Sequence, residues 1–146
     1  MPSMEVVRLP CACANLRRAA RVVTQFYDGV LRPTRLRVTQ FTLLQALNRA
    51  PGISQSRLAE LLGMDSTTLT RTLASLDRKR WLRSTKAADR RKLQLFLSPA
   101  GLREYKRVVP RWQSAQRRLR RALGEANWNR VLNAAVLTAG VLPKPD

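Results

Sequence analysis

A run of short hydroxyl side chains near the middle of the chain ends in an arginine. Serine and threonine hydroxyls hydrogen-bond to phosphate oxygens and base edges, and backbone N–H groups at the start of a helix favour anions. An arginine guanidinium has the planar geometry that binds guanine in the major groove. The run begins at Asp65, and its candidate nucleic-acid contacts are Ser66, Thr67, Thr68, Thr70 and Arg71.

Two further polar segments have chemistry of the same kind. Ser54 and Ser56 open the preceding helix, where their hydroxyls are placed to hold a DNA backbone. The loop over residues 85–92 is basic, and an arginine at its tip can enter a narrow minor groove. Each segment alone has a plainer explanation, because Ser and Thr cap helices and basic loops are often only solvated. The candidate contacts of the loop are Lys86, Arg90, Arg91 and Lys92.

The residue types that are missing exclude most enzymatic chemistry. The 146 residues contain no His and two Cys. This excludes histidine-activated nucleophiles, zinc fingers with two Cys and two His, and a four-cysteine zinc site within one chain. The carboxylates are isolated, and there is no Gly-rich phosphate loop. We therefore expect no enzyme, no catalytic residue, no metal site and no cofactor.

The charge balance points to a polyanionic partner. Lys and Arg number 28 against 9 Asp and Glu, which gives a net charge of +19. Such a surface attracts nucleic acid first and an anionic membrane surface second. No apolar stretch of about 20 residues is present, and the N-terminal residues lack the apolar segment of a secretory signal. We expect a cytoplasmic protein in a reducing compartment, with no membrane partner.

Apolar spacing at three and four residues predicts six helices. The second is expected to begin with Thr39 as its N-cap, and the fifth to begin at Ser98-Pro99 and bend at Pro110. Inward positions include Leu61 on the third helix and Val131 on the last. The last helix also has Trp128, Leu132 and Ala135 at predicted inward positions. The predicted helices cover residues 13–31, 39–50, 54–62, 65–78, 98–123 and 125–139.

The apolar period changes to two in the segments 81–84 and 93–97, which predicts two short strands around the basic loop. Two short helices followed by a two-stranded hairpin form the winged helix-turn-helix pattern. The predicted fold class is therefore mainly α with a small β-hairpin wing.

Four segments follow the pattern of a known family: 36–41, 56–71, the wing segment with Asp89 and Arg91 in an Asp-x-Arg arrangement, and 97–101. On these segments, the chain resembles the multiple antibiotic resistance regulators, the MarR family. The resemblance extends over residues 13–123. One departure is Arg80-Trp81, where the family usually has a Gly before the first wing strand, so the turn there is expected to differ slightly.

The resemblance implies a transcription regulator that is a homodimer and a repressor, released from DNA by a small ligand or an oxidant. Residues 1–146 would form one domain, with the winged helix-turn-helix at 39–98 and dimerisation helices at 1–38 and 99–146. The residues support a dimer independently, because the apolar faces of the first and last two helices have no intrachain sheet to cover them. A dimer is expected to bind a pseudo-palindromic operator in double-stranded DNA, with half-sites ~34–36 Å apart.

Cys11 and Cys13 admit two interpretations. Free cysteine is often buried, so Cys13 is interpreted first as a small apolar residue at the dimer seam. The second interpretation comes from the family's organic-hydroperoxide regulators, which place a reactive Cys at the start of the first helix and a Tyr farther along it. Cys13 and Tyr27 are similar in spacing, although Val38 and Phe41 occupy the area of that branch's further Tyr. Cys11, Cys13 and Tyr27 are the candidate redox residues, with peroxide as the signal.

The family's other signal is a small aromatic acid that binds between the dimerisation helices and the winged lobe. The resemblance implies Tyr27, Phe41 and Trp112 as candidate pocket residues, and each is also explained as ordinary core. The basic cluster at residues 117–121 leaves three alternatives open. It is a solvated surface, an additional DNA backbone contact or a source of salt bridges at the dimer seam.

A basic architectural protein of the nucleoid is the main alternative function, because the net charge alone gives DNA affinity. The two functions differ in a measurable quantity. A specific regulator is expected to distinguish its operator from random DNA by ~4–10 kcal/mol, whereas an architectural protein shows almost no difference.

Overall fold

The computed structural model of the chain describes residues 7–86 and 92–142. It consists mainly of helices with a small antiparallel sheet, which confirms the predicted fold class. A 3₁₀ turn, Arg32–Thr34, joins the first two helices. The elements in chain order are α1 (Ala12–Leu31), α2 (Val38–Arg49), β1 (Ile53–Ser54), α3 (Gln55–Leu62), α4 (Ser66–Arg78), β2 (Leu82–Lys86), β3 (Leu93–Leu97), α5 (Pro99–Leu123) and α6 (Glu125–Val141).

Three helices begin at the N-caps that the sequence predicts. Ser54, Asp65 and Ser98 each accept a hydrogen bond from the backbone N–H three residues later, at 3.3, 2.8 and 3.0 Å. These bonds satisfy N–H groups that have no partner within the helix. Local capping chemistry therefore fixes where α3, α4 and α5 begin.

One predicted boundary is wrong, at the corner between α1 and α2. Helix α2 begins at Val38, so Thr39 lies in its first turn and is not its N-cap. The reason is a carboxylate from another helix: Asp28 Oδ1 accepts from the Val38 N–H at 2.7 Å. Asp28 Oδ2 also pairs with Arg37 at 3.3 Å. On the other side of the corner, Arg107 Nη2 of α5 donates to the Thr34 carbonyl at 2.8 Å.

The sheet has one strand more than the sequence predicted. Strand β1 pairs antiparallel with β3, with Ile53 opposite Leu95, which gives the order β1-β3-β2. Two residues are too few to show a period, so the pattern did not reveal β1. Strand β2 covers Leu82–Lys86, one residue later in its start and two later in its end than predicted, because it pairs along the full length of β3.

The turn before β2 keeps the conformation that a glycine favours. Arg80 has φ 57°, in the left-handed region, and its N–H donates to the Asp77 carbonyl at 2.8 Å. The Trp81 N–H donates to the Leu76 carbonyl at 3.0 Å, so the two bonds close the end of α4. The turn therefore does not differ from a glycine-containing turn in the way the sequence predicted. Arg80 adopts the left-handed backbone conformation that Gly adopts readily.

The main core joins the winged lobe to α5. Phe41 at its centre is fully buried, and Val108 brings the middle of α5 into the same cluster. Helix α5 continues on both sides of Pro110. At its first turn, Gly101 lies against the Trp81 backbone, with the position of an added Cβ 3.0 Å from the Trp81 carbonyl carbon. The leucines that complete the core of the helix-turn-helix are Leu44, Leu58, Leu69, Leu73, Leu76 and Leu95.

Two predictions of inward-facing residues are wrong for the isolated chain. Leu61 is 60% exposed on α3. Helix α6 has no buried residue, and Val131 and Leu132 are 51% and 45% exposed. Ala135 is also exposed, and Trp128 is only partly covered. The pattern on α6 identified an apolar face correctly, but the chain itself places little against it. No helix among the described residues is long and apolar enough to cross a membrane.

Candidate nucleic-acid interface

The turn between α3 and α4 orients the hydroxyl-rich helix. Gly63 ends α3 with φ 61°, and the Met64 N–H donates to the Ala59 carbonyl at 2.9 Å. Asp65 then caps α4 through two bonds to Thr68, one from its N–H at 2.8 Å and one from its hydroxyl at 2.6 Å. The start of α4 is therefore fixed on its solvent side by Asp65 and on its inner side by buried Leu69.

The exposed face of α4 separates its predicted contacts into two groups. Ser66, Thr67 and Arg71 are exposed and show no side-chain partner among the described residues. Thr68 instead donates to the Asp65 cap, and Thr70 Oγ1 donates to the Ser66 carbonyl at 2.8 Å. The first group has free hydrogen-bonding capacity for a ligand. The second group uses part of its capacity to hold the helix.

Gln55 makes a contact with α4 that the sequence did not predict. Its Nε2 donates to Thr70 Oγ1 at 2.8 Å and so ties the first residue of α3 to the exposed side of α4. The bond joins positions 15 apart in the chain, and no local periodicity or capping pattern signals it. Gln55 therefore helps to set the position of α4 relative to α3.

The start of α3 and the base of the wing form one polar recess. The Ser54 and Ser56 hydroxyl oxygens lie 3.2 Å apart. With Gln55, Lys92 and Leu93, they line a cavity of about 210 Å³. Hydroxyls beside a lysine ammonium are suited to a phosphate group, since hydrogen-bond donors and a positive charge converge there. The structure thus brings together three of the predicted DNA contacts, Ser54 and Ser56 at the start of α3 and Lys92 of the wing loop.

The wing is described only at its base. Lys86 and Lys92 are both exposed, and the pair Lys86 and Leu93 is the last in the register of β2 and β3. The predicted minor-groove residues Arg90 and Arg91 lie outside the described residues, as does Asp89.

The structure places the candidate redox residues apart. Cys11 occupies the N-cap of α1 and Cys13 its second position, and both are exposed. Tyr27 is buried, which raises the pKa of its hydroxyl, and that hydroxyl donates to Gln116 Oε1 on α5. Cys13 and Tyr27 are 14 residues apart on one helix, so a rise of ~1.5 Å per residue separates them by ~21 Å. A bond from Tyr27 to Cys13 therefore cannot form within one chain.

The candidate pocket aromatics lie in or beside the core. Phe41 is fully buried, stacks on Tyr105 with ring centroids 5.6 Å apart and contacts Trp112 at 5.8 Å. These rings fill the space between α2 and α5. A side chain with no exposed surface does not line an open cavity, so packing accounts for Phe41.

Asp65 gives the interface a pH dependence. Hydrogen bonds from the Thr68 side chain and backbone hold the pKa of the Asp65 carboxyl below its ordinary value. A depressed native pKa stabilises the fold above the unfolded pKa of about 3.9, and this contribution is lost as pH falls through the native value. We expect Asp65→Asn to lower the urea midpoint at pH 7 and to lower it less at about pH 3. Urea unfolding of both proteins at the two pH values tests this, and an equal difference at both would contradict it.

The fold and the helix-turn-helix geometry match proteins of known function. A family model described as MarR family matches residues 36–92. The chain is 34% identical to the M. tuberculosis transcriptional regulator MosR in its structure with DNA, over 88% of this chain and 93% of that chain, with a TM-score of 0.79.

A second solved relative supports the fold. CouR, described as a transcriptional repressor bound to a 23-mer DNA duplex, is 23% identical over 92% of this chain and 99% of that chain, with a TM-score of 0.79. CouR from Rhodococcus jostii RHA1 bound to p-coumaroyl-CoA is 18% identical over 93% and 96%, with a TM-score of 0.76. The MosR match shows family membership as well as the fold, because it reaches 34% identity over most of both chains. This chain belongs to the MarR family of DNA-binding winged-helix transcription regulators.

Proposed function

We propose that the chain is a sequence-specific repressor that binds a pseudo-palindromic operator as a homodimer. The observation that carries this proposal is the exposed surface of the first two turns of α4, where Ser66, Thr67 and Arg71 project from a helix held by the Asp65 cap and the Gln55 bond. A helix held in this way loses little further backbone freedom on binding, which favours discrimination between base sequences.

The contacts divide by chemistry into base readout and backbone positioning. Arg71, Ser66 and Thr67 are assigned to base edges in the major groove. Thr68 and Thr70 contribute to the same surface while they hold α4. Ser54, Ser56 and Lys92 are assigned to phosphates, because they line one recess at the base of the wing. Lys86 extends this basic surface, and Arg90 and Arg91 are proposed for the minor groove.

The dimer proposal rests on the apolar surface that the chain leaves uncovered. On α6, Val136 is 74% and Leu137 64% exposed, and on α1 Val22 is 59% exposed. Apolar surface of this extent favours burial against a partner, and a two-fold dimer covers the same face of both copies. Residues 1–38 and 99–146 are therefore assigned to dimerisation, and residues 39–98 to DNA binding.

The test is a titration of the protein against its own promoter DNA and a scrambled duplex at near-physiological salt. We expect the promoter to bind at least ~10³-fold more tightly. Arg71→Ala should weaken promoter binding by ~5- to 100-fold, corresponding to ~1–3 kcal/mol, and should relax the preference at one base position. Arg49→Ala, which removes an exposed arginine at the end of α2, is the matched control and should leave the preference intact.

Two outcomes of this titration would contradict the proposal. Equal affinity for both duplexes would contradict the regulator and support a basic architectural protein. A preference that Arg71→Ala leaves unchanged would contradict the assignment of base readout to this part of α4.

For the release signal, we propose oxidation at the N-terminus of α1. Both thiols are exposed in the single chain, whereas Phe41 of the predicted aromatic pocket is fully buried. A hydroperoxide would transfer one oxygen to the Cys13 thiolate to form a sulfenic acid and would leave as the alcohol. We expect hydroperoxide to weaken promoter binding by the wild type but not by Cys13→Ser. Binding that peroxide does not change would favour a small-molecule inducer, such as the acyl-CoA class that CouR binds.

A further inference from the structure

Most of the positive charge lies outside the winged helix-turn-helix. The helical arms, residues 1–38 and 99–146, contain 17 Lys and Arg against 5 Asp and Glu, which is +12 of the total +19. Helix α5 alone carries eight basic residues and one acidic residue, Glu104. Operator recognition by α4 and the wing does not require charge in the arms, so this surplus needs a separate explanation.

The surplus concentrates on one exposed side of α5. At ~100° per residue, Arg111, Arg117, Arg118 and Arg121 fall within an arc of ~120°, which Arg103 and Arg107 share nearer the start of the helix. We call the four arginines of this arc from Arg111 onward the α5 arginine face. All four are exposed, and none forms an ion pair among the described residues. The guanidinium of Arg118 lies 5.3 Å from the centre of the Phe26 ring, which holds it against α1.

Arg120 lies outside this arc, ~60° from Arg117. It forms a two-bond pair with Glu125 at 2.6 Å, so its charge is compensated within the chain. The basic cluster therefore does not surround the helix evenly, and its uncompensated members share one direction.

The α5 arginine face is distant from the DNA-reading elements. Helix α5 begins at the base of the wing, where Gly101 packs on Trp81. Arg111 follows 10 residues later, ~15 Å along the helix axis, and Arg117 and Arg121 follow 16 and 20 residues later, ~24–30 Å along it. The Debye length at physiological ionic strength is ~8 Å, so their charge contributes little to the potential at the reading surface.

A seam between two copies of the chain does not suit this face. A two-fold axis would bring the arginines of both copies together, and compensation would need acidic residues. The acidic residues described in the arms are already engaged: Asp28 with Arg37, Glu104 with Arg107 and Glu125 with Arg120. A membrane surface is also a poor partner, because the apolar side of α5 is occupied by the core through Val108 and Ala115.

We propose that the α5 arginine face is a second, sequence-independent DNA surface that binds the phosphates of a separate duplex segment while the winged helices bind the operator. Duplex DNA fits because it offers a dense row of negative charges without requiring a matching sequence. A protein already bound to its operator also has neighbouring DNA at high effective concentration. The dimer would then connect two DNA segments.

The test uses full-length protein and two duplexes. A short operator duplex is fixed to beads, and the beads are incubated with protein and a labelled duplex of unrelated sequence. The variant replaces Arg117, Arg118 and Arg121 by Gln, and the control replaces Arg32, Arg49 and Arg130 by Gln, so that both lose three charges. We expect the variant to capture at least about tenfold less labelled duplex than the wild type or the control, with operator affinity changed less than about threefold.

Three outcomes would overturn the proposal. Capture by the variant that equals capture by the control would remove the role of this face, and so would a wild type that captures no second duplex. A variant that sedimentation shows to be monomeric would place the arginines in the dimer seam instead. Since capture is measured with an unrelated duplex, its failure is distinguishable from a failure of operator specificity.

Discussion

Replacing Gly101 by Ala is expected to lower the free energy of unfolding by about 2–3 kcal/mol, because the added methyl group would overlap the Trp81 backbone. Its position lies 3.0 Å from the Trp81 carbonyl carbon and 3.1 Å from its Cα, and closer still to the carbonyl oxygen. That backbone cannot move freely, since the Trp81 N–H donates to Leu76 and its carbonyl accepts from the Ser98 N–H at 2.9 Å. The overlap could be relieved only if α5 shifted away from the wing.

Thermal and urea unfolding measure this effect. For a domain of this size, the expected loss corresponds to a decrease in Tm of roughly 4–12 °C. Gly29→Ala is the matched control: Gly29 also lies inside a helix, but an added Cβ there meets nothing within 4 Å. The control should raise stability by about 0.5–1 kcal/mol through its helix propensity. Equal effects of the two substitutions would contradict the close approach of α5 to Trp81.

Replacing Phe41 by Ala is expected to have a still larger effect, a loss of about 3–5 kcal/mol. The ring is fully buried and lies between Tyr105 and Trp112, so its removal leaves a cavity where the winged lobe meets α5. Phe41→Leu keeps much of the volume and should cost considerably less. Urea unfolding of both variants provides the measurement.

The same substitution distinguishes packing from ligand binding. If Phe41 instead lined a small-molecule pocket, Phe41→Ala would leave the stability of the unliganded protein nearly unchanged. A small stability loss would therefore revive the aromatic-pocket hypothesis for this residue.

The features that the sequence predicted correctly depend on neighbours in the chain. The caps at Ser54, Asp65 and Ser98 act over three residues, and the buried stripe of α4 repeats every three or four residues. Such local signals are visible in the sequence without knowledge of the tertiary structure. The family resemblance added the Asp-x-Arg arrangement of the wing and the expected homodimer.

The features that were missed join residues that are distant in sequence. The Asp28 carboxylate that displaced Thr39 as the cap of α2 comes from ten positions earlier, and the Gln55 bond to Thr70 spans 15. The pattern of α6 identified an apolar face without showing what covers it, because its proposed partner is a second copy. The pairing of Cys13 with Tyr27 rested on a resemblance to the organic-hydroperoxide regulators, and 14 residues of α1 separate the two side chains.

The corner between α1 and α2 sets a geometric limit on the operator. Asp28 holds the first turn of α2, and Arg107 holds the carbonyl of Thr34, so α1, α2 and α5 meet in a rigid elbow. In the proposed dimer, this elbow fixes the angle at which each winged lobe leaves the arms, and therefore the separation of the two α4 helices. An extra base pair between half-sites would move one of them by ~3.4 Å and rotate it about the DNA axis by roughly a tenth of a turn. The protein would then select operators by the spacing of their half-sites as well as by their base sequence.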